Sequence, residues 1–124
     1  MKDIFFVSLG ALLGANARFA FYKKLEQLNL EKDLITLVIN TFSSFIVGFF
    51  ISYLSRFSSL NISFQLVLFF QIGFIGSLST FSTFIYDLFG LFRKMKYVKA
   101  VRLTIFSIIL GVIACTFGFV LGNQ

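Results

Sequence analysis

Two rows of hydroxyl groups and a pair of phenyl rings share one short stretch of this chain. Ser79, Ser82 and Tyr86 lie at i, i+3 and i+7, and Thr80, Thr83 and Asp87 repeat the spacing one residue on. In a helix each row runs along one face, with Phe81 and Phe84 one turn apart beside them. Hydroxyls donate hydrogen bonds to an anion, and the electropositive edge of a phenyl ring faces one favourably. Such a lining suits a small anion. Any single Ser or Thr here is equally explained by a bond back to its own helix, and any single Phe by packing. The cluster carries the signal. Asn40 is the second candidate, because an amide inside an uncharged apolar run must find a partner or leave polar atoms in hydrocarbon. A helix-to-helix hydrogen bond would satisfy it as well as a ligand.

Those groups need elements that hold them in lipid. The chain has 124 residues, 58% apolar and 19% aromatic, with 13% charged and no Pro, Trp or His. That much apolar surface exceeds what a soluble core of this size buries, so the expected fold is an all-α integral membrane domain occupying residues 1–124. Four transmembrane helices are read at about 4–22, 34–54, 64–90 and 101–121. From Phe57 to Tyr86 no residue is charged. A straight helix of that length would be about 45 Å long against roughly 30 Å of hydrocarbon. The third span is therefore expected to be broken mid-membrane, within Gly73–Phe84. Backbone freed at such a break is tolerated where protein or a polar cavity satisfies it, so the break is where an ion or small solute is expected to bind.

Small residues line the other spans. Gly10, Ala11, Gly14 and Ala15 form one stripe, Ser43, Ser44, Val47 and Gly48 a second, and Gly111, Cys115, Gly118 and Gly122 a third. Such stripes bring membrane helices close together. Lys2 ahead of an apolar run, with Ala15-Asn-Ala17 behind it, also resembles a secretory leader, but a discarded peptide has no use for the stripe. Cys115 stands alone, so neither a disulfide framework nor a metal cluster can be assembled around it.

Charge sets the orientation. With four spans, the first and third connections carry Arg18, Lys23, Lys24, Lys32, Arg93, Lys94, Lys96, Lys99 and Arg102, against Lys2 and Arg56 on the other side. The excess of basic residues marks the cytoplasmic face and leaves both termini outside. It is no nucleic-acid footprint, since it has no separate domain to sit on. Arg18, near the end of the first span, reads as a snorkelling or paired structural cation, and Asp87 is a counter-ion for it or for a basic loop residue.

The motifs Gly10-Ala-Leu-Leu-Gly-Ala-Asn-Ala-Arg18, Asn40-Thr-Phe-Ser-Ser-Phe-Ile-Val-Gly48 and Gly73-Phe-Ile-Gly-Ser-Leu-Ser-Thr-Phe-Ser-Thr-Phe84 resemble the small bacterial fluoride channels of the Fluc, or CrcB, type. The resemblance implies an antiparallel dimer of four-helix subunits in the bacterial cell membrane. Such a dimer holds two fluoride pathways and a central sodium ion, and it lets accumulated fluoride leave the cell without catalysis. By matched position Asn40 would be the pore amide, Phe81 and Phe84 edge-on aromatic ligands, and Ser82, Thr83 and Thr116 a polar track. The carbonyls of Gly76 and Ser79 would hold sodium from both subunits, and Asp87 would match a carboxylate at a pore mouth.

Ser77 stands where that family usually has a second Gly, and Ser43 where it has another, so both are expected to crowd a tight helix contact. A homodimer of mixed orientation also needs nearly balanced loops, and this chain is strongly biased. An oppositely oriented paralogue is therefore the favoured partner over a second copy. Two alternatives remain. A small multidrug exporter would need a membrane-embedded Glu in the first helix, where this chain has no acid between Asp3 and Glu26. A nonconducting assembly subunit would leave the amide and paired phenyl groups without a purpose.

Overall fold

The structure, a computed structural model, describes residues 1–55 and 62–124. Arg56 and the start of the charge-free run at Phe57 lie outside the described residues. Helix α1 spans Lys2–Glu26 and α2 spans Lys32–Ser55. The third span is composite: α3, Ile62–Leu66, runs into a π-helical stretch, Val67–Ile75, then α4, Gly76–Leu78, and α5, Phe81–Arg93. Helix α6 covers Tyr97–Gly122. Among the described residues, four helical stretches are long and apolar enough to cross a membrane. The helices run past most ends of the apolar spans, through Lys23, Lys24 and Glu26 in α1 and from Tyr97 in α6. Helical backbone satisfies its own hydrogen bonds on both sides of the lipid boundary, while lysines reach for water.

The helices mate in two pairs, and small residues make both. On α1, Gly10 and Gly14 lie against the backbone of Phe69 and Phe74, and a Cβ on Gly73 would fall 2.6 Å from the carbonyl oxygen of Val7. Helix α2 lies along α6 through Gly48 against Cys115 and Gly118 against Phe45. With α2 and α6 running the same way, Ser44 faces Gly111 and Phe49 faces Gly122. Cβ-free contacts let the backbones approach where lipid supplies no hydrophobic driving force. Within the chain itself, Ser77 and Ser43 both find room. The Ser77 hydroxyl rests over Gly14 and donates to the Phe74 carbonyl, while Ser43 is 1% exposed and donates to the Ile39 carbonyl at 2.8 Å. Glycine opposite one, and tight burial of the other, absorb the extra atoms within the chain.

The α5–α6 corner is tight. Met95 adopts φ 56° in the left-handed region. The Lys96 amide donates to the Leu91 carbonyl at 2.9 Å and the Met95 amide to the Phe92 carbonyl at 3.0 Å, a Schellman cap without its usual glycine. Leu91, Ala100 and Leu103 form a small core there, with Leu37, Phe84 and Leu88 packed on it. Elsewhere large apolar side chains such as Leu12, Phe64, Ile108 and Phe117 point outward, as a lipid solvent allows.

Candidate functional site

Between Leu78 and Phe81 the backbone leaves the helix. Ser79 is extended at φ −72°, ψ 156°, and Thr80 at φ −145°, ψ 117°. In a continuous helix the Thr80 amide would donate to the Gly76 carbonyl, and the Thr83 amide to the Ser79 carbonyl. Both donors go elsewhere. The Thr80 N–H donates to Asn40 Oδ1 at 3.0 Å, and the Thr83 N–H donates to Thr80 Oγ1 at 3.3 Å. The carbonyls of Gly76 and Ser79 are thereby left out of the helical ladder.

Asn40 sits on α2, one turn past buried Thr36 and one turn before Ser44, whose hydroxyl donates to the Asn40 carbonyl at 2.9 Å. Its amide grips Thr80 from both sides, since Nδ2 donates to the Thr80 carbonyl at 3.1 Å while Oδ1 accepts the Thr80 amide. The second Nδ2 hydrogen has no partner among the described residues. Thr80 is the hub. Its Oγ1 caps α5 and lies 3.2 Å from Ser82 Oγ and 3.1 Å from Thr83 Oγ1. Asn40, Ser82, Thr83 and the break are thus brought together, and α5 begins with an unbroken hydroxyl chain.

The two phenyl groups part company. Phe81 is 75% exposed on the chain's surface, while Phe84 packs against the Leu91–Ala100–Leu103 core. Their centroids stand 6.3 Å apart with rings tilted by 38°. Thr116 does not join this group. It is exposed on α6, its hydroxyl donates to the Val112 carbonyl at 2.9 Å, and it follows Cys115, which packs on Gly48. Gly48 is eight residues beyond Asn40, or about 12 Å along the helix axis.

Asp87 accepts a hydrogen bond from Thr36 Oγ1 at 2.8 Å. Arg18, half-buried on α1, makes no ion pair among the described residues, so Asp87 is not its counter-ion. Asp87 lies in the wall of an open mouth of about 760 Å³, with Lys32, Arg93, Lys94 and Lys96 around it. Lys99 pairs with Glu31 and, at 3.1 Å, with Asp33, which ties the starts of α2 and α6 together.

Two residues stand here that the hydroxyl spacing did not single out, Thr36 and Ser107, and Thr80, already in the second row, gains a further part as a cap. Thr80 carried the usual helix-start signal, a Thr just ahead of an amphipathic run. Thr36 shares a face of α2 with Asn40 at i, i+4 spacing. Ser107 had no signal beyond being polar in an apolar helix. Its Oγ is fully buried without a hydrogen-bond partner among the described residues. Ser107 lies one turn before Gly111, and Asn40 one turn before Ser44. Because α2 and α6 are parallel and Ser44 meets Gly111, Asn40 and Ser107 stand at the same level.

Residues 5–119 match the family model described as CrcB-like protein, Camphor Resistance (CrcB). The chain is 52% identical over 124 residues, all of both proteins, to "Fluoride-specific ion channel FluC 2" of Prochlorococcus marinus (strain NATL2A). "Fluoride-specific ion channel FluC" of Ignicoccus hospitalis is 38% identical over 118 residues, covering 95% of this chain and 93% of that one. A protein of the same name from Bacteroides fragilis is 33% identical, covering all of this chain and 98% of its own.

Proposed function

The chain belongs to the CrcB family, and from that premise we propose that it is a subunit of a fluoride-selective channel that lets cytoplasmic fluoride leave the cell passively. The observation that carries this reading is the full-length match to proteins named fluoride-specific ion channels. The geometry at the break fits it. Fluoride holds its water tightly, so a pathway must replace those hydrogen bonds with donors that need little reorganisation. One Asn40 amide hydrogen has no partner among the described residues, while the other and Oδ1 are fixed on Thr80. Ser82 and Thr83 continue from that point, Phe81 and Phe84 follow on the same helix with ring edges suited to an anion, and the Ser107 hydroxyl, unpartnered among the described residues, adds a donor at the same level. Thr116 extends the track only where another subunit covers its exposed face. Asp87 and the surrounding lysines form the mouth.

The active unit in this reading is an antiparallel dimer, with the break at membrane depth. Two neutral carbonyls released from their helical donors, Gly76 and Ser79, are chemically suited to a hard cation such as sodium. They are too few to coordinate it from one chain, which is why two subunits would share the ion. The sodium would be structural, neutralising carbonyl dipoles that lipid cannot. The basic residues of the first and third connections support an orientation with those connections in the cytoplasm. The favoured partner remains an oppositely oriented paralogue, and this now rests on the charge bias, since Ser43 and Ser77 are accommodated within the chain.

Fluoride efflux from liposomes tests both levels of the reading. Efflux that appears only when an oppositely biased paralogue is added supports the heterodimer. Efflux from this chain alone, with both orientations found by cysteine labelling, replaces it with a homodimer. Folded protein that passes no fluoride in either case removes the channel reading.

A further inference from the structure

At the basic end of the bundle a second cleft, of about 630 Å³, opens between α2 and α6 on the far side of the Glu31–Lys99–Asp33 bridge from the mouth at Asp87. Its floor is apolar, with Leu34 and Leu37 from α2 and Leu103 and Phe106 from α6. Its charged lining is net cationic, with Lys96, Lys99 and Arg102 against Glu31 and Asp33. Lys99 is already held by two carboxylates, whereas Lys96 and Arg102 form no ion pair among the described residues. From Lys96 to Phe106 the α6 wall is about 15 Å long, roughly the depth of one hydrocarbon leaflet.

We propose that this cleft binds one anionic phospholipid, its phosphate held by Lys96 and Arg102 and an acyl chain laid along Leu34, Leu37 and Phe106. Charge complementarity selects this occupant over a second copy of the chain. The acids are Asp3, Glu26, Glu31, Asp33 and Asp87, and four of these five belong to the basic end. An antiparallel copy would therefore bring only Asp3 towards the two unpaired cations. Basic pockets between helices at the cytoplasmic face are suited to anionic head groups. Because Lys96 also lines the mouth at Asp87, a bound phosphate would lower the positive charge offered to an entering anion.

The chain has no Trp, so Phe106→Trp supplies a single Trp inside the cleft, excited selectively on the red side of the Tyr absorption. The full chain in liposomes should be quenched at a mole fraction of brominated phosphatidylglycerol on the order of tenfold below that of brominated phosphatidylcholine. The added change Lys96→Gln with Arg102→Gln should erase that preference, while Lys23→Gln with Lys24→Gln should leave it. Equal quenching by the two lipids, or a preference that survives Lys96→Gln and Arg102→Gln, overturns the proposal. Quenching by neither means that protein fills the cleft and overturns it too. Should the Trp disturb insertion, native mass spectrometry of the unsubstituted chain reads the same ratio, with retention of phosphatidylglycerol over phosphatidylcholine as the expected result and no selectivity as the refuting one.

Discussion

Asn40 and Thr80, forty residues apart, exchange two hydrogen bonds of 3.1 and 3.0 Å, so a side-chain amide on α2 takes the place of a helical turn in the third span. Asn40→Ala strands the Thr80 amide and carbonyl together. We expect a loss of stability of about 1–3 kcal/mol, the cost of an unsatisfied buried polar group. Fluoride flux should fall at least tenfold with helix content unchanged. Thermal unfolding in detergent, read beside liposome efflux, checks both.

Thr80→Val removes the cap on α5 and the centre of its hydroxyl chain at nearly constant volume. A loss of about 1 kcal/mol is expected. Thr80→Ser should recover most of it. Equal stability of the Val and Ser variants would show that the cap is energetically idle.

Ser107→Ala separates a ligand role from a packing one. Removing a buried hydroxyl that has no partner among the described residues should leave stability unchanged or slightly raised. Flux should nevertheless drop several-fold. Undiminished flux in a folded variant would take Ser107 out of the pathway.

Phe81→Ile and Phe84→Ile should both abolish flux in a pore lined by the altered ring, yet differ in stability. Phe81 is mostly exposed on the single chain, so its replacement should stay within about 0.5 kcal/mol. Phe84 packs on the Leu91–Ala100–Leu103 core, and its change of shape should cost about 1 kcal/mol. Unfolding curves separate the two.

Met95→Gly removes the Cβ from a left-handed helix cap and should stabilise the α5–α6 corner by about 1 kcal/mol. Flux should be unaltered. A lower midpoint would mean that the Met95 side chain, whose sulfur accepts a bond from the Tyr97 hydroxyl, outweighs the backbone strain.

The parts of the molecule legible in the sequence are those governed by local rules. Apolar length marks the four spans, and glycine spacing marks the faces of α1, α2 and α6 that meet backbone. The hydroxyl cluster after Leu78 is visible as a pattern. What periodicity could not express is a pairing at long range. Nothing local tells that Asn40 reaches Thr80, that Thr36 rather than Arg18 meets Asp87, or that Ser77 finds its space over Gly14. The π-helical stretch Val67–Ile75 is equally silent, since its composition is that of any apolar helix. Thr116 illustrates the converse: a hydroxyl in the right helix stands about two turns from the level of the break, satisfied by its own backbone.

The two carbonyls set free at Gly76 and Ser79 also bear on how the protein is made. If the break lies at membrane depth as proposed, a newly inserted chain would carry main-chain acceptors without a donor among the described residues, and each such group would be costly in lipid. Until something else supplies that missing partner, the chain is an unfinished product whose lifetime depends on how soon it meets its complement. Subunit supply, and not helix formation, would then set the amount of mature protein, and surplus chains would be the ones that membrane proteases remove.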